Sequence, residues 1–263
     1  LYGGVGCGTD SAPGGWKPGS LMLSRASNGP QKHPPEVLMF RPSDDWKKAY
    51  PEAHAGVLVL REAANPPHDA GLANRKAALE ESLRLRYAGQ DRAALLRNPT
   101  LRAYDEYYKR FKKTYHVQLQ LESILFKGKS IPNVAALVES MFMAEMDGLL
   151  LTAGHDLDVL HLPLTLDIAT GKESYTLLRG EEQVPKAGDM MIRDGEGIVS
   201  SVIYGPDQRT QVTAGTRSAV FTIYAPAGIQ PLDVSRQLEA IRDNVLVIAP
   251  KARVELLEVY AAG

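Results

Sequence analysis

The chain has 263 residues, of which 44% are hydrophobic and 23% are charged, and this composition excludes a wholly disordered protein. Its 30 Lys and Arg residues against 31 Asp and Glu residues give a net charge of -1, which provides no global attraction to a polyanion such as RNA. The single cysteine, Cys7, excludes an intramolecular disulfide framework and favours a reducing, cytoplasmic location.

The first 36 residues differ in composition from the rest of the chain. They are rich in Gly, Ser and Pro, begin with Leu rather than Met and show no signal peptide. We therefore interpret residues 1–36 as a flexible leader, or as a segment added to the native protein, and residues 37–263 as a single domain. No apolar run in the chain approaches the roughly 20 residues that cross a bilayer, so we expect no membrane association.

The N-terminal part of the domain combines one strand with a series of helices. HAGVLVLR, residues 54–61, is a short apolar run with β-branched residues and is typical of a buried strand. Apolar residues then recur at helical spacing as far as residue 146. The predicted helices cover residues 69–86, residues 91–113 with a break at Asn98-Pro99, residues 118–126 and residues 133–146.

Basic and aromatic residues alternate in the helical stretch that ends near residue 113. Leu101, Tyr104, Tyr108 and Phe111 recur at three- and four-residue spacing and predict a buried stripe. The basic residues occupy other faces, where Lys and Arg can contact phosphates, so we predict that they bind an RNA backbone. The alternative is a solvated face that binds no nucleic acid. The predicted RNA-binding residues are Arg102, Lys109, Arg110, Lys112 and Lys113.

From Leu149 onwards the pattern changes from helical to alternating periodicity. Residues 194–197 (DGEG) predict a hairpin, and residues 205–207 (GPD) predict a second turn. The predicted fold class is therefore α+β, with a helical N-terminal half packed on a largely antiparallel β system. The predicted strands cover residues 149–153, 163–168, 174–179, 188–194, 197–205 and 216–225, followed by a helix over residues 231–245 and a strand over residues 252–260.

The usual signatures of metal and nucleotide sites are missing from the sequence. His155, Asp156 and Asp158 have suitable metal-ligating groups, but adjacent strand residues point to opposite faces, so we predict no metal site. The chain has no G-x-S-x-G, P-loop or G-x-G-x-x-G motif in the required context. We therefore expect no cofactor.

The order of several short motifs along the chain is more specific than any one of them. Over about residues 37–263, the chain resembles the B3/B4 domain of the phenylalanyl-tRNA synthetase beta subunit, in its free-standing form. The motifs that carry the resemblance are NPTLRAYDEYYKRF at residues 98–111, IPN at residues 131–133, GHDLD at residues 154–158, PKAGDMMIRD at residues 185–194 and QRTQVTAGTRSAVFTIYA at residues 208–225.

In that family the domain removes tyrosine wrongly attached to the phenylalanine tRNA. The resemblance therefore implies a trans-acting aminoacyl-tRNA editing hydrolase or a tRNA-binding protein, with a cytoplasmic location. Ester hydrolysis needs a positioned water and oxyanion stabilisation, so no metal or cofactor is implied. The alternatives are a non-catalytic RNA-binding module and a protein that binds a free amino acid or another small molecule in a pocket. DNA is not an expected partner.

The resemblance also implies a pocket formed by three separate segments. Ser140 stands where the family has the Thr of a Thr-Asn pair, and His155 lies beside the Asp-Leu-Asp motif, so both are implied as catalytic residues. Met141 and Tyr224 replace polar family groups, which predicts a more apolar pocket than one that selects tyrosine. The implied substrate-binding residues are Met141, Ala153, Gly154, Thr213, Gly215 and Tyr224.

Overall fold

The structure, a computed structural model, describes residues 39–263. The predicted leader, residues 1–36, lies outside the described residues, and its separation from one following domain stays a prediction. None of the helices in residues 39–263 combines the length and apolar character needed to cross a membrane.

Seven α-helices and eleven β-strands make up residues 39–263, in agreement with the predicted α+β class. The helices are α1 (Asp44–Ala49), α2 (Ala70–Arg86), α3 (Arg92–Leu95), α4 (Pro99–Arg110), α5 (His116–Lys127), α6 (Ala136–Gly148) and α7 (Pro231–Ile248). The strands are β1 (Phe40–Pro42), β2 (His54–Arg61), β3 (Thr152–Asp156), β4 (Leu164–Ile168), β5 (Tyr175–Thr176), β6 (Glu182–Gln183), β7 (Met190–Arg193), β8 (Ile198–Ser201), β9 (Gly205–Pro206), β10 (Ala219–Ala225) and β11 (Arg253–Ala261).

A four-stranded antiparallel sheet, in the order β11-β2-β10-β3, brings together strands from both ends of the domain. Its two central strands, β2 and β10, are almost entirely buried. Helix α7 packs on β2 at Gly56, where an added Cβ would lie 2.6 Å from Val234 Cγ1. The absence of a side chain at Gly56 therefore permits the close approach of helix and sheet.

A second sheet has the order β1-β4-β7-β8-β9. Only the β1-β4 pair is parallel, and the other neighbours are antiparallel. The predicted hairpin at residues 194–197 is confirmed, because it joins β7 to β8. Asp194 stabilises this turn by accepting the backbone N–H groups of Glu196 and Gly197 at 2.9 and 3.0 Å.

The predicted turn at residues 205–207 is wrong. Residues 202–204 form the turn, and Gly205 and Pro206 form β9, which pairs with β8. Gly205 has a φ of 86°, a left-handed conformation that favours glycine. The Gly-Pro pair therefore lies at the start of a short edge strand, where a proline without an N–H group is tolerated.

The predicted helices are present, but α5 begins at His116, two residues before its predicted start, and α6 begins later than predicted. Asn98 caps α4 by accepting the N–H groups of Thr100 and Leu101, which explains the break at this position. Helix α6 begins at Ala136 rather than residue 133. The preceding loop is held in a non-helical path, because the backbone N–H group of Ile131 donates to Glu80 Oε1 at 2.8 Å.

The aromatic side chains of α4 are buried as predicted, and their hydroxyl groups form hydrogen bonds inside the core. Tyr104 stacks on Tyr115, with ring centroids 4.2 Å apart. Its hydroxyl group donates to the Tyr224 carbonyl at 2.5 Å and accepts the Leu151 N–H at 2.9 Å. Tyr104 thus fixes the positions of β3 and β10 relative to α4.

Candidate functional site

A cavity of about 260 Å³ lies where α6, β3, β10 and the end of β8 meet. This is slightly smaller than the roughly 300–1,000 Å³ of pockets for drug-sized ligands, so it suits a small group. Most of its wall is apolar. The lining residues are His116, Val138, Met141, Phe142, Glu145, Leu151, Thr152, Ala153, Gly154, Leu178, Ser201, Gly205, Pro206, Gln211, Val212, Phe221 and Tyr224.

Helix α6 provides one wall of the cavity through residues at helical spacing. Val138, Met141, Phe142 and Glu145 occupy positions i, i+3, i+4 and i+7, which lie on one face of an α-helix. Three of these side chains are apolar, and the fourth is a carboxyl group. Because Glu145 shares this face with three apolar side chains, its carboxyl group lies in an apolar environment.

Glu145 is the acidic residue in this cavity wall, and the residue is 1% exposed. Burial disfavours the charged form and raises the pKa of Glu145 to about 8, although the hydrogen bond from the Thr152 backbone acts in the opposite direction. Glu145 Oε1 accepts that Thr152 N–H at 3.0 Å. At neutral pH the carboxyl group is therefore mostly protonated, with its proton on Oε2.

Gln237 of α7 holds the start of β3 in place beside the cavity. Its Nε2 donates to Leu150 O and to Thr152 Oγ1, both at 2.7 Å, and its Oε1 accepts the Leu150 N–H at 3.2 Å. These bonds satisfy polar groups that are buried with Gln237. The backbone N–H group of Thr152 is therefore held in a fixed position beside Glu145.

Four of the implied substrate-binding residues, Met141, Ala153, Gly154 and Tyr224, line this one cavity. Tyr224 contributes to an apolar wall, because its hydroxyl group is hydrogen-bonded to Ser200. The agreement concerns position only, and the binding roles of these residues remain predictions.

Thr213 and Gly215 lie outside the lining, in an exposed turn before β10. The strand predicted over residues 216–225 starts at Ala219, because Thr216 turns back and donates its N–H to Thr213 O at 3.1 Å. Gly215 donates its own N–H to Thr213 Oγ1 at 3.2 Å. These local turn bonds direct Thr213 and Gly215 away from the cavity wall.

Ser140 and His155, implied as catalytic residues, are also outside the cavity lining. Ser140 is fully buried, and its Oγ has no hydrogen-bond partner in the described part of the chain. His155 is fully buried too, with Nδ1 2.8 Å from Thr210 Oγ1. Burial, together with the charge of Arg209, lowers the pKa of His155 to about 3. The catalytic roles of both residues remain predictions that this geometry does not support.

A second cavity, of about 370 Å³, lies between α5, α6 and the loop that connects them. It shares His116 and Phe142 with the first cavity. Lys129, Ser123 and Ser130 contribute polar groups to its lining. The two cavities therefore meet at His116 and Phe142, and together they form a site with a mostly apolar part and a part that includes a cation.

The family model for the B3/4 domain matches residues 102–244, more than half of the chain. The chain belongs to the B3/4 domain family. A solved structure of an N-terminal fragment of the phenylalanyl-tRNA synthetase beta subunit from Pyrococcus horikoshii aligns with 82% of this chain, with 11% identity and a TM-score of 0.43. The alignment covers 50% of that fragment, so this chain spans about half its length. No curated protein matches the chain.

The predicted basic face of this B3/4 domain is partly neutralised. Lys109 Nζ lies 2.6 Å from Asp105, and Arg102 lies 3.8 Å from Glu106. Arg110 lies over the rings of Tyr50, Tyr107 and Phe111, where its charge is attracted by the aromatic faces.

Arg110, Lys112 and Lys113 are exposed and form no ion pair within residues 39–263, and of these three only Lys112 and Lys113 are not placed over the Tyr50, Tyr107 and Phe111 rings. The Lys113 Nζ atom lies 5.6 Å from the ring centroid of Tyr204. Tyr204 directly precedes Gly205, which lines the first cavity. Of the five predicted RNA-binding residues, Lys112 and Lys113 are therefore the best placed beside the site.

Sequence reasoning missed five polar lining residues of the B3/4 domain, which are His116, Glu145, Thr152, Ser201 and Gln211. The sequence did contain an indication for Glu145, because a carboxylate four residues after Met141 lies on the apolar face of the predicted helix. His116 had no such signal, because it lies outside the predicted helix boundaries. Ser201 lies directly before the turn at residues 202–204. The sequence predicted this turn at residues 205–207, so the position of Ser201 at the cavity was missed.

Proposed function

We propose that the cavity beside α6 binds the aminoacyl group of an aminoacyl-tRNA and that the protein hydrolyses the ester in trans. Membership of the B3/4 family supports a tRNA-synthetase-related role, as does the resemblance of the ordered motifs to the synthetase beta subunit. The observation that carries the proposal is the buried carboxyl group of Glu145 in the wall of an otherwise mostly apolar cavity.

The proposed role of Glu145 follows from its hydrogen bonds. Because Oε1 accepts the Thr152 N–H, the proton on Oε2 is free to donate to a ligand. A protonated carboxyl group in an apolar site is a strong hydrogen-bond donor to an oxyanion. We infer that Glu145 donates to the acyl carbonyl oxygen and stabilises the negative charge that develops there during hydrolysis.

The charges of the lining favour an ester over a free amino acid. A free amino acid carries an α-carboxylate, and burial of that charge is costly without a cation beside it. None of the residues that line the first cavity is Lys or Arg. In an aminoacyl ester the carboxyl group is esterified and carries no negative charge, so this part of the ligand needs no cation in the cavity wall.

Deacylation of a panel of mischarged tRNAs tests the proposal. The panel carries leucine, methionine, phenylalanine or tyrosine on non-cognate tRNAs, and we expect hydrolysis of at least one member. Glu145→Leu should lower the rate by about 100- to 1,000-fold, the range for loss of one oxyanion donor. Glu145→Gln retains an N–H donor and should keep most of the rate. Equal rates in the parent and Glu145→Leu would refute the role of Glu145.

A cavity-filling variant tests whether the ligand enters this cavity. Val212 lines the cavity and is half-buried, so Val212→Trp is expected to fill the space and to reduce hydrolysis at least tenfold. Val184 is exposed and lies outside the lining, and Val184→Trp is the matched control. Full activity in Val212→Trp would place the ligand elsewhere. Binding of tRNA without hydrolysis of any panel member would favour the non-catalytic module.

The proposed tRNA contact is tested by reversal of adjacent charges. Lys112→Glu with Lys113→Glu should weaken tRNA binding at low salt and lower its salt dependence, because phosphate contacts release counterions. Lys47→Glu with Lys48→Glu is a matched control, since these neighbours are also exposed and lie on α1. Filter binding over a range of salt concentrations measures both effects. An equal loss in the two double variants would indicate only a change in net charge.

A further inference from the structure

His116 lies at the boundary between the two cavities. It is the first residue of α5 and lines both cavities, as does Phe142 of α6. A bound aminoacyl ester has two parts, the acyl group and the nucleoside, and its scissile bond lies between them. If the acyl group occupies the first cavity, its ester bond lies at the cavity mouth. His116 is therefore placed where the reacting atoms would lie.

The hydrogen bonds of Tyr108 determine which nitrogen of His116 carries the proton. A tyrosine hydroxyl group has one proton, and Tyr108 Oη donates it to the Val202 carbonyl at 2.8 Å. His116 Nδ1 lies 3.3 Å from the same oxygen, so Nδ1 must be the donor in that contact. In the neutral ring Nε2 then has no proton and presents a lone pair.

The groups around the imidazole ring favour its neutral form. The ring lies near the rings of Tyr108 and Tyr115, with centroids 6.2 and 5.8 Å away. Glu145 of α6 lines the first cavity with it, and Lys129 of the connecting loop lines the second. His116 is exposed as a residue, and the loss of hydration where its ring packs against these neighbours lowers its pKa below the ordinary value.

We infer that His116 Nε2 is the general base that activates the hydrolytic water, with Tyr108 as the residue that positions it. This inference rests on the proposed hydrolase function and names a group for its proton transfer. A base that is oriented by a second side chain, as His116 is by Tyr108, is a recurring arrangement at sites of proton transfer.

The reaction balances with these groups alone. Nε2 accepts a proton from water as the water oxygen bonds to the acyl carbon, and Glu145 donates a hydrogen bond to the carbonyl oxygen. The tetrahedral intermediate then collapses, and the bond from the acyl carbon to the ribose oxygen breaks. The ribose oxygen takes the proton from Nε2. The products are a free amino acid and a tRNA with its terminal hydroxyl group restored.

The tautomer is tested without a substrate. Histidine-ring ¹⁵N spectra of the full chain, assigned by comparison with His116→Gln, distinguish protonated from unprotonated ring nitrogens. We expect the Nδ1–H form for His116 above its pKa, and a shift of the population towards Nε2–H in Tyr108→Phe. An Nε2–H form in the parent would overturn the inference whatever the activity. Tyr108→Phe is interpreted only if its other resonances match the parent.

Kinetics test the proton transfer itself. His116→Ala should lower the deacylation rate on the best panel substrate by about 100- to 10,000-fold. It should also remove the fall in kcat/KM on the acid side, and added imidazole should restore part of the rate. His68→Ala is the matched control, because His68 is exposed and lies outside both linings.

The outcomes separate this inference from the proposed function. Unchanged rate and pH profile in His116→Ala, with an active parent, would overturn the general-base role and leave the hydrolase function intact. A parent that hydrolyses no member of the panel would overturn both. A reduced rate in His116→Ala with the acid limb retained and no rescue by imidazole would overturn the role as base, because a packing defect gives that pattern.

Discussion

Replacement of Glu145 by Gln is expected to stabilise the protein at pH 8 and to leave its stability near pH 4.5 unchanged. The folded-state pKa of Glu145 is raised from 4.5 to about 8 by burial. Between these values the folded protein retains a proton that the unfolded chain has released, so the parent loses stability as the pH rises. The Gln amide accepts the same Thr152 N–H without this charge. The gain at pH 8 is on the order of 5 kcal/mol, at 1.36 kcal/mol per pKa unit.

Urea unfolding from pH 4.5 to pH 8.5 measures this difference. The free energy gap between Glu145→Gln and the parent should widen steadily across the range and become constant above pH 8. Glu181 is exposed, and Glu181→Gln should follow the parent at every pH. A gap independent of pH would mean that the Glu145 carboxyl group ionises normally in the folded protein. That result would also remove the proposed neutral donor from the cavity.

Tyr104→Phe is expected to destabilise the protein by roughly 2 to 6 kcal/mol. The lost hydroxyl group leaves the Leu151 N–H and the Tyr224 carbonyl without their partner in the core. Each unsatisfied buried backbone group costs about 1–3 kcal/mol, whereas the ring stacking on Tyr115 is retained. Leu151 and Tyr224 both line the first cavity, so the variant should also weaken binding of the proposed aminoacyl substrate.

Chemical denaturation at constant pH measures the stability loss of Tyr104→Phe. Tyr204 is half-buried near the protein surface, and Tyr204→Phe is expected to change stability by less than about 1 kcal/mol. Equal values for the two variants would mean that water replaces the Tyr104 hydroxyl group. An increase in KM with little change in kcat would show that Tyr104 acts by shaping the cavity.

The helices of the N-terminal half were predictable because their signals are local. Asp69 caps α2 through the Leu72 N–H at 2.8 Å, and Asn98 caps α4 before its first-turn proline. The aromatic stripe of α4 was identified by its spacing alone. The start of α6 was predicted too early, because the bond from Ile131 to Glu80 joins residues 51 positions apart. No local pattern reports such a bond.

The candidate site was only partly predictable. The motif order placed Met141, Ala153, Gly154 and Tyr224 on one pocket, and these residues do share a cavity. The same motifs did not indicate which side chains around them face it. Ser140 adjoins Met141 in sequence, but successive helical residues lie about 100° apart, and Ser140 is buried outside the cavity lining.

By itself the sequence determined the α+β class, most helix boundaries, the DGEG hairpin and the resemblance to the B3/B4 domain. These depend on periodicity, capping residues and turn residues, which act over a few positions. Only the tertiary structure decided the order β11-β2-β10-β3, the position of His116 Nδ1 beside the Tyr108 hydroxyl group and the burial of Glu145 in the cavity wall. Each depends on groups brought together from distant positions, because burial and hydrogen bonding are properties of the packed fold.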